Sequence, residues 1–134
     1  MTMATDGGNG ARAKVVLVDD EADIVFLART LFERDGRFDV VGEALDGEEA
    51  VRLAERLQPE AVLLDILMPG MDGWEALPLI RRVAPETAVV VVSALGRHRD
   101  IAERASALGA AAYVEKAKLG STPSLVASVC TASS

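Results

Sequence analysis

The sequence predicts an α/β fold: a doubly wound sheet of five parallel strands in the order 2-1-3-4-5, with helices on both faces. Three observations predict it. Five short apolar or β-branched runs stand at Lys14–Val18, Phe38–Val41, Ala61–Leu64, Ala88–Val92 and Ala112–Val114. The third and fourth are apolar throughout rather than alternating, the mark of strands buried on both faces. Helix-spaced apolar residues fill the gaps, and strands alternating with helices build a parallel sheet through right-handed crossovers.

The elements follow in order. After the first strand, Ile24, Leu27, Ala28, Leu31 and Phe32 recur at helical spacing. After the second, Ala50, Leu53, Ala54 and Leu57 form a stripe, with Glu48, Arg52 and Arg56 on other faces. Asp46 with Glu49 and Asp72 with Glu75 read as capping boxes, and Pro59 closes the second helix. The third helix starts near Gly73 and uses Leu77, Ile80 and Val83. Pro78 inside it removes one backbone hydrogen bond, which predicts a kink or a shifted start. Ile101, Ala105 and Leu108 mark a fourth helix ended by Gly109. Thr122 as cap and Pro123 in the first turn open a fifth, with Leu125, Val126, Val129 and Cys130 inward. Residues 1–12 read as a glycine-bearing tail and 13–131 as one domain.

Composition narrows the function. Half of the 134 residues are hydrophobic but only 4% are aromatic, so aliphatic side chains must build the core. The net charge of −7 argues against direct contact with nucleic acid, which needs a basic stripe. A single cysteine, Cys130, rules out an internal disulfide and suits the cytoplasm. No apolar run approaches the ~18 residues of a membrane span.

In an open α/β sheet, ligands bind beyond the carboxyl ends of the strands, where the strand order reverses. Polar residues close four of the five strands: Asp19 and Asp20 after the first, Asp65 after the third, Ser93 after the fourth, and Lys116 two residues past Val114. Any one has an ordinary reading: a helix cap, a loop serine, a surface lysine. Together they place three acids, a hydroxyl and an amine at one edge. Crowded carboxylates stay ionised only when a cation compensates them. Mg²⁺ suits such a site, because it prefers oxygen ligands and keeps positions for water and phosphate. His98, between Arg97 and Arg99, reads as a solvated residue.

The runs VVLVDDE, VLLDILMPGMDG, VVVVSALG and GAAAYVEK resemble, in order and spacing, the four signature segments of response-regulator receiver domains. The similarity runs from Lys14 to about Cys130, and VVGEALDGEEAV resembles receivers that precede helix-turn-helix output domains. The resemblance implies a flavodoxin-like fold and a two-component switch phosphorylated by a sensor histidine kinase or phosphotransfer protein. It implies that Asp65 accepts the phosphoryl group and that Asp20 binds Mg²⁺ directly. Asp19 would bind the metal through water, and the carbonyl of Leu67 would add a contact. Ser93 matches the switch hydroxyl, Lys116 the phosphoryl-pairing lysine, and Tyr113 the aromatic that turns on activation. A downstream protein, or an output domain joined to the receiver, would read the result.

The chain departs from that pattern in three places. Ala117 follows Lys116 where the family usually has proline, and a cis bond before a non-proline residue costs ~2.5–4 kcal/mol, so a trans bond is expected. The fifth helix, from Ser124 to Thr131, carries no charge, which removes the salt bridges of some receiver dimers. Leu67 and Leu95 occupy the positions that, in the family, tune phosphoryl hydrolysis, and apolar groups there predict slow dephosphorylation. Two other functions compete with the switch. A pseudo-receiver would bind partners without phosphorylation. An aspartyl phosphatase would need a second acid two residues after the nucleophile, where Leu67 stands. Against a third reading, a nucleotide-binding domain, no G-x-G-x-x-G or P-loop follows the first strand, where DDE stands instead.

Overall fold

The computed structural model of the chain describes residues 12–94 and 98–133, with side chains except those of 98 and 131–133. The elements are β1 (Ala13–Val18), α1 (Ala22–Asp35), β2 (Phe38–Ala44), α2 (Gly47–Leu57), β3 (Ala61–Asp65), α3 (Gly73–Val83), β4 (Ala88–Ser93), α4 (His98–Ala107), β5 (Ala112–Glu115) and α5 (Thr122–Ser133). A 3₁₀ segment, Lys116–Ser121, joins β5 to α5. All strands pair in parallel, in the order β2-β1-β3-β4-β5, as the sequence predicts. Leu95, the side chain of His98 and the expected tail up to Ala11 lie outside the described residues.

Alternate residues of the central strands serve opposite faces, because side chains in a strand repeat every two residues. Val16, Val62, Leu64 and Val91 join Ala54 and Leu77 in one core under α2, α3 and α4. Val15, Leu17, Leu63 and Val90 join Phe32 and Val126 in a second core under α1 and α5. Most of these aliphatic side chains are fully buried, each contributing roughly 1.5–3 kcal/mol by its removal from water.

The structure corrects several local expectations. β2 continues past Val41 to Ala44, because a bulge between Val15 and Val16 shifts the register and lets Val16 pair with Gly42. Leu27 faces solvent at 45% exposure, and Val25 takes the inward place assigned to it. Asp72 and Glu75 form a reciprocal capping box, but Asp46 and Glu49 form half of one. Asp46 accepts from the Glu49 N–H at 2.8 Å, while Glu49 reaches the N–H of Leu45 instead. α3 begins at Gly73 and stays one helix across Pro78. Thr122 is not an acceptor cap: it already has helical backbone angles, and its hydroxyl donates to the Leu119 carbonyl at 2.6 Å. The 3₁₀ segment, absent from the sequence reading, supplies the entry to α5. No helix among the described residues is long and apolar enough to cross a membrane.

Candidate functional site

The carboxyl ends of β1, β3 and β4 bring the predicted polar residues to one edge. β1 ends beneath Asp19, whose backbone N–H donates to the Ala44 carbonyl at the end of β2. Asp65 is the last residue of β3 and Ser93 the last of β4. These three polar side chains are buried, with Asp65 only 2% exposed and Asp19 5%, while Asp20 is exposed. Burial of that many polar groups at one edge, in a sheet otherwise filled by aliphatics, is not what packing alone selects.

Lys116 opens the 3₁₀ segment after β5, and its Nζ reaches back over the edge. It lies 3.0 Å from Asp19 Oδ2, 3.3 Å from Glu21 Oε1 and 3.4 Å from Asp65 Oδ2. The described residues contain no cis peptide bond, so the Lys116–Ala117 bond is trans, as expected, and the lysine still aims at the acids. Glu21 is the partner that sequence reasoning missed. Glu21, the third acid of the DDE run, stands at the N-cap of α1 yet makes no side-chain cap. The nearby backbone N–H, that of Glu21, is instead taken by Asp19 Oδ1 at 2.9 Å.

The electrostatics follow from burial among like charges. Burial, and then the charge of Asp19, lifts the Asp65 carboxyl to about 6; Lys116 and the Leu67 N–H only partly oppose this. Asp19 is raised too, chiefly by burial. Burial works against the Lys116 ammonium, but the contact with Asp19 and the charges of Asp65 and Asp19 outweigh it and hold its pKa above the ordinary lysine value. One ammonium therefore does not balance the acids.

The donor set fits a small divalent cation. Asp19, Asp20 and Asp65 each offer a carboxylate oxygen, and these atoms lie within 4.8 Å of one another. All three are hard oxygen donors, and the exposed Asp20 leaves the cluster open to solvent.

The loop after β3 holds this geometry closely. Gly70 adopts φ +71°, a left-handed turn that glycine accepts without strain. Gly73 donates its N–H to the Ile66 carbonyl at 2.8 Å, and a Cβ there would stand 2.4 Å from the Asp65 carbonyl oxygen. Leu67 is half-exposed beside the acceptor position, at 52%. Tyr113, on β5 opposite Val91, is partly buried against the α3–α4 side core.

Comparison with known proteins agrees with this geometry. Residues 15–127 match the family model of the response regulator receiver domain. The transcriptional regulatory protein PdtaR of Mycobacterium tuberculosis is 40% identical over 112 residues, which are 84% of this chain and 53% of that protein. A protein-glutamate methylesterase/protein-glutamine glutaminase of Maricaulis maris is 38% identical over 81% of this chain, but only 27% of that protein is covered. The chain thus spans from about a quarter to about half of these relatives. Among solved structures, the signal receiver domain of the response regulator NarL from Mycobacterium tuberculosis superposes with a TM-score of 0.83 at 30% identity. That match covers 90% of this chain and 97% of that one. A CheX–CheY–BeF₃–Mg²⁺ complex from Borrelia burgdorferi superposes with a TM-score of 0.73 at 30% identity, covering 82% and 85%. With its signature residues gathered at one sheet edge and the family match running nearly end to end, the chain belongs to the response regulator receiver domains of two-component signalling.

Proposed function

We propose that Asp65 is the phosphoryl acceptor of this switch and that Asp19, Asp20, Ser93, Lys116 and Tyr113 serve it. The observation that carries this reading is Lys116, which bridges Asp19 and Asp65 from the 3₁₀ segment after β5, beside an oxygen-only acid cluster. An Asp65 oxygen attacks the phosphorus of a phosphohistidine on a sensor histidine kinase or phosphotransfer protein. The P–O bond forms as the P–N bond breaks, and the imidazole keeps the electron pair and takes up a proton. Charge on the three equatorial oxygens is the main demand of such a transfer, so positioned cations do most of the work. Lys116 meets part of that demand by turning from Asp19 toward the phosphoryl oxygens. Asp19, Asp20, Asp65 and the Leu67 carbonyl would hold Mg²⁺. When bound, Mg²⁺ neutralises the crowded acids and the phosphoryl group.

The product carries nearly two extra negative charges and three strong acceptor oxygens. Ser93 donates its hydroxyl to one of them, Tyr113 turns into the space it leaves, and α4 shifts for a downstream protein or output domain to read. The chain turns over no external substrate; a cytoplasmic place suits the lone thiol. The test is chemical: a phosphoryl group taken from acetyl phosphate should be labile to hydroxylamine, as an acyl phosphate is, and should map to the Asp65 peptide. A hydroxylamine-stable or differently placed adduct would overturn the assignment.

A further inference from the structure

α4 is held to the protein by few buried anchors. It buries Ile101 and Ala105, and the other residues of 99–107 are exposed or partly so. It also carries Arg104, whose guanidinium carbon lies 4.2 Å from the centroid of the Trp74 ring, on the first turn of α3. That distance is well inside the ~6 Å reach of a cation–π contact. Trp74 is the chain's single tryptophan. It directly follows Gly73, whose position is set by the Asp65 backbone through the Ile66 hydrogen bond and the space a Cβ would lack. One side of the Arg104–Trp74 contact is therefore fixed to the acceptor's own strand end. The other side rides on α4, which begins at His98, five residues after Ser93 in the chain.

We propose that Arg104 and Trp74 form a latch that holds α4 against α3 while Asp65 is unmodified, so that phosphorylation must work against it. The inference rests on the switch reading above: α4 shifts on phosphorylation, while Trp74 stays with the Asp65 backbone. The ring is half-buried and the guanidinium exposed, so the contact is of the modest, surface kind. An interaction of that strength, made in one state only, shifts the balance between the two states by about two- to fivefold. Arg104 is then a positioning residue for α4 and touches none of the reacting atoms.

Beryllofluoride with Mg²⁺, titrated by calorimetry, reads the coupling without turnover. The wild type, Arg104→Ala, Arg104→Lys and Trp74→Phe are compared, with thermal unfolding as the check on folding. Arg104→Ala should bind beryllofluoride about two- to fivefold more tightly than the wild type, with Arg104→Lys between the two. Trp74 emission should shift on binding in the wild type and shift less in Arg104→Ala. Trp74→Phe, which keeps a weaker ring, should tighten binding less than Arg104→Ala. Equal or weaker binding by Arg104→Ala, when the wild type binds well, would sink the latch and leave the switch intact. A wild type that does not bind beryllofluoride at all would overturn the switch reading, and the latch with it.

Discussion

Lys116 Nζ lies closer to Asp19 Oδ2, at 3.0 Å, than to Asp65 Oδ2, at 3.4 Å. The lysine is shared, and Asp19 holds the shorter contact. Anything that draws Asp19 away frees Lys116 for Asp65, so cation binding and phosphoryl capture favour each other. Lys116→Met removes the only cation within salt-bridge reach of these two acids among the described residues. It should abolish stable phosphoryl capture and lower stability at pH 7 by roughly 3 kcal/mol, the usual cost of stranding one side of a buried pair. Urea unfolding at pH 7 and at pH 4.5 checks this, because the loss should shrink at the lower pH as the acids protonate.

Asp65 also sets a pH dependence. Its carboxyl rises to about 6 in the folded protein from an ordinary 3.8, chiefly through burial. The folded state therefore holds a proton that the unfolded chain releases, so this group's contribution is present below pH ~4 and lost as pH rises to about 6. Asp65→Asn removes the cost of the buried charge. It should stabilise the metal-free protein at pH 7 by about 3 kcal/mol and flatten the stability profile between pH 4 and 6.5. Thermal unfolding across that range decides it, and a less stable Asn variant at pH 7 contradicts it.

A divalent cation should stabilise the folded chain at pH 7 by about 1.4 kcal/mol for each tenfold excess over its dissociation constant, since only the folded state assembles the three acids. Chelator should reverse the gain. Asp20→Asn should remove most of it with little effect on the metal-free protein, because Asp20 is exposed.

The backbone at Gly73 has no room for a side chain. Gly73→Ala would set a methyl 2.4 Å from the Asp65 carbonyl oxygen and 2.7 Å from Ile66 Cα, and backbone must move to admit it. The expected result is a loss of about 2–3 kcal/mol in denaturant unfolding, with slower phosphorylation from acetyl phosphate. Gly36→Ala has space for its methyl but strains a left-handed turn at φ +84° in the C-cap of α1, so it serves as a destabilised control for phosphorylation rate.

Leu67 is half-exposed beside Asp65, and its side chain cannot orient an attacking water. The phosphorylated protein should therefore lose its phosphoryl group slowly, and Leu67→Ala alone should shorten the half-life several-fold. A very short half-life in the wild type contradicts the shielding.

Much of this was legible in the sequence, and what was not has physical reasons. The continuous apolar runs at Ala61 and Ala88 mark strands covered on both faces, and they led directly to the sheet. Asp19, Asp65, Ser93 and Lys116 were legible because each closes or follows a strand on the same edge. Glu21 was not, because adjacency to Asp20 in the chain says nothing about an ammonium ninety-five residues later. The bulge at Val15 was hidden for a similar reason: register belongs to a pair of strands, and neither strand's pattern alone reveals it. Leu27 and Val25 exchanged roles because either fits a helical stripe, and only the angle at which α1 meets the sheet chooses between them. The Arg104–Trp74 contact joins two helices whose spacing the sequence does not state.

The most direct test of the central claim is the intact mass after incubation with Mg²⁺ and acetyl phosphate, for the wild type and for Asp65→Asn. The account predicts one added phosphoryl group on the wild type, none on Asp65→Asn, and none on either when the cation is chelated. A folded wild type that gains no mass, or an Asp65→Asn protein that gains as much as the wild type, would contradict it; the first outcome points to a receiver fold that works by binding alone.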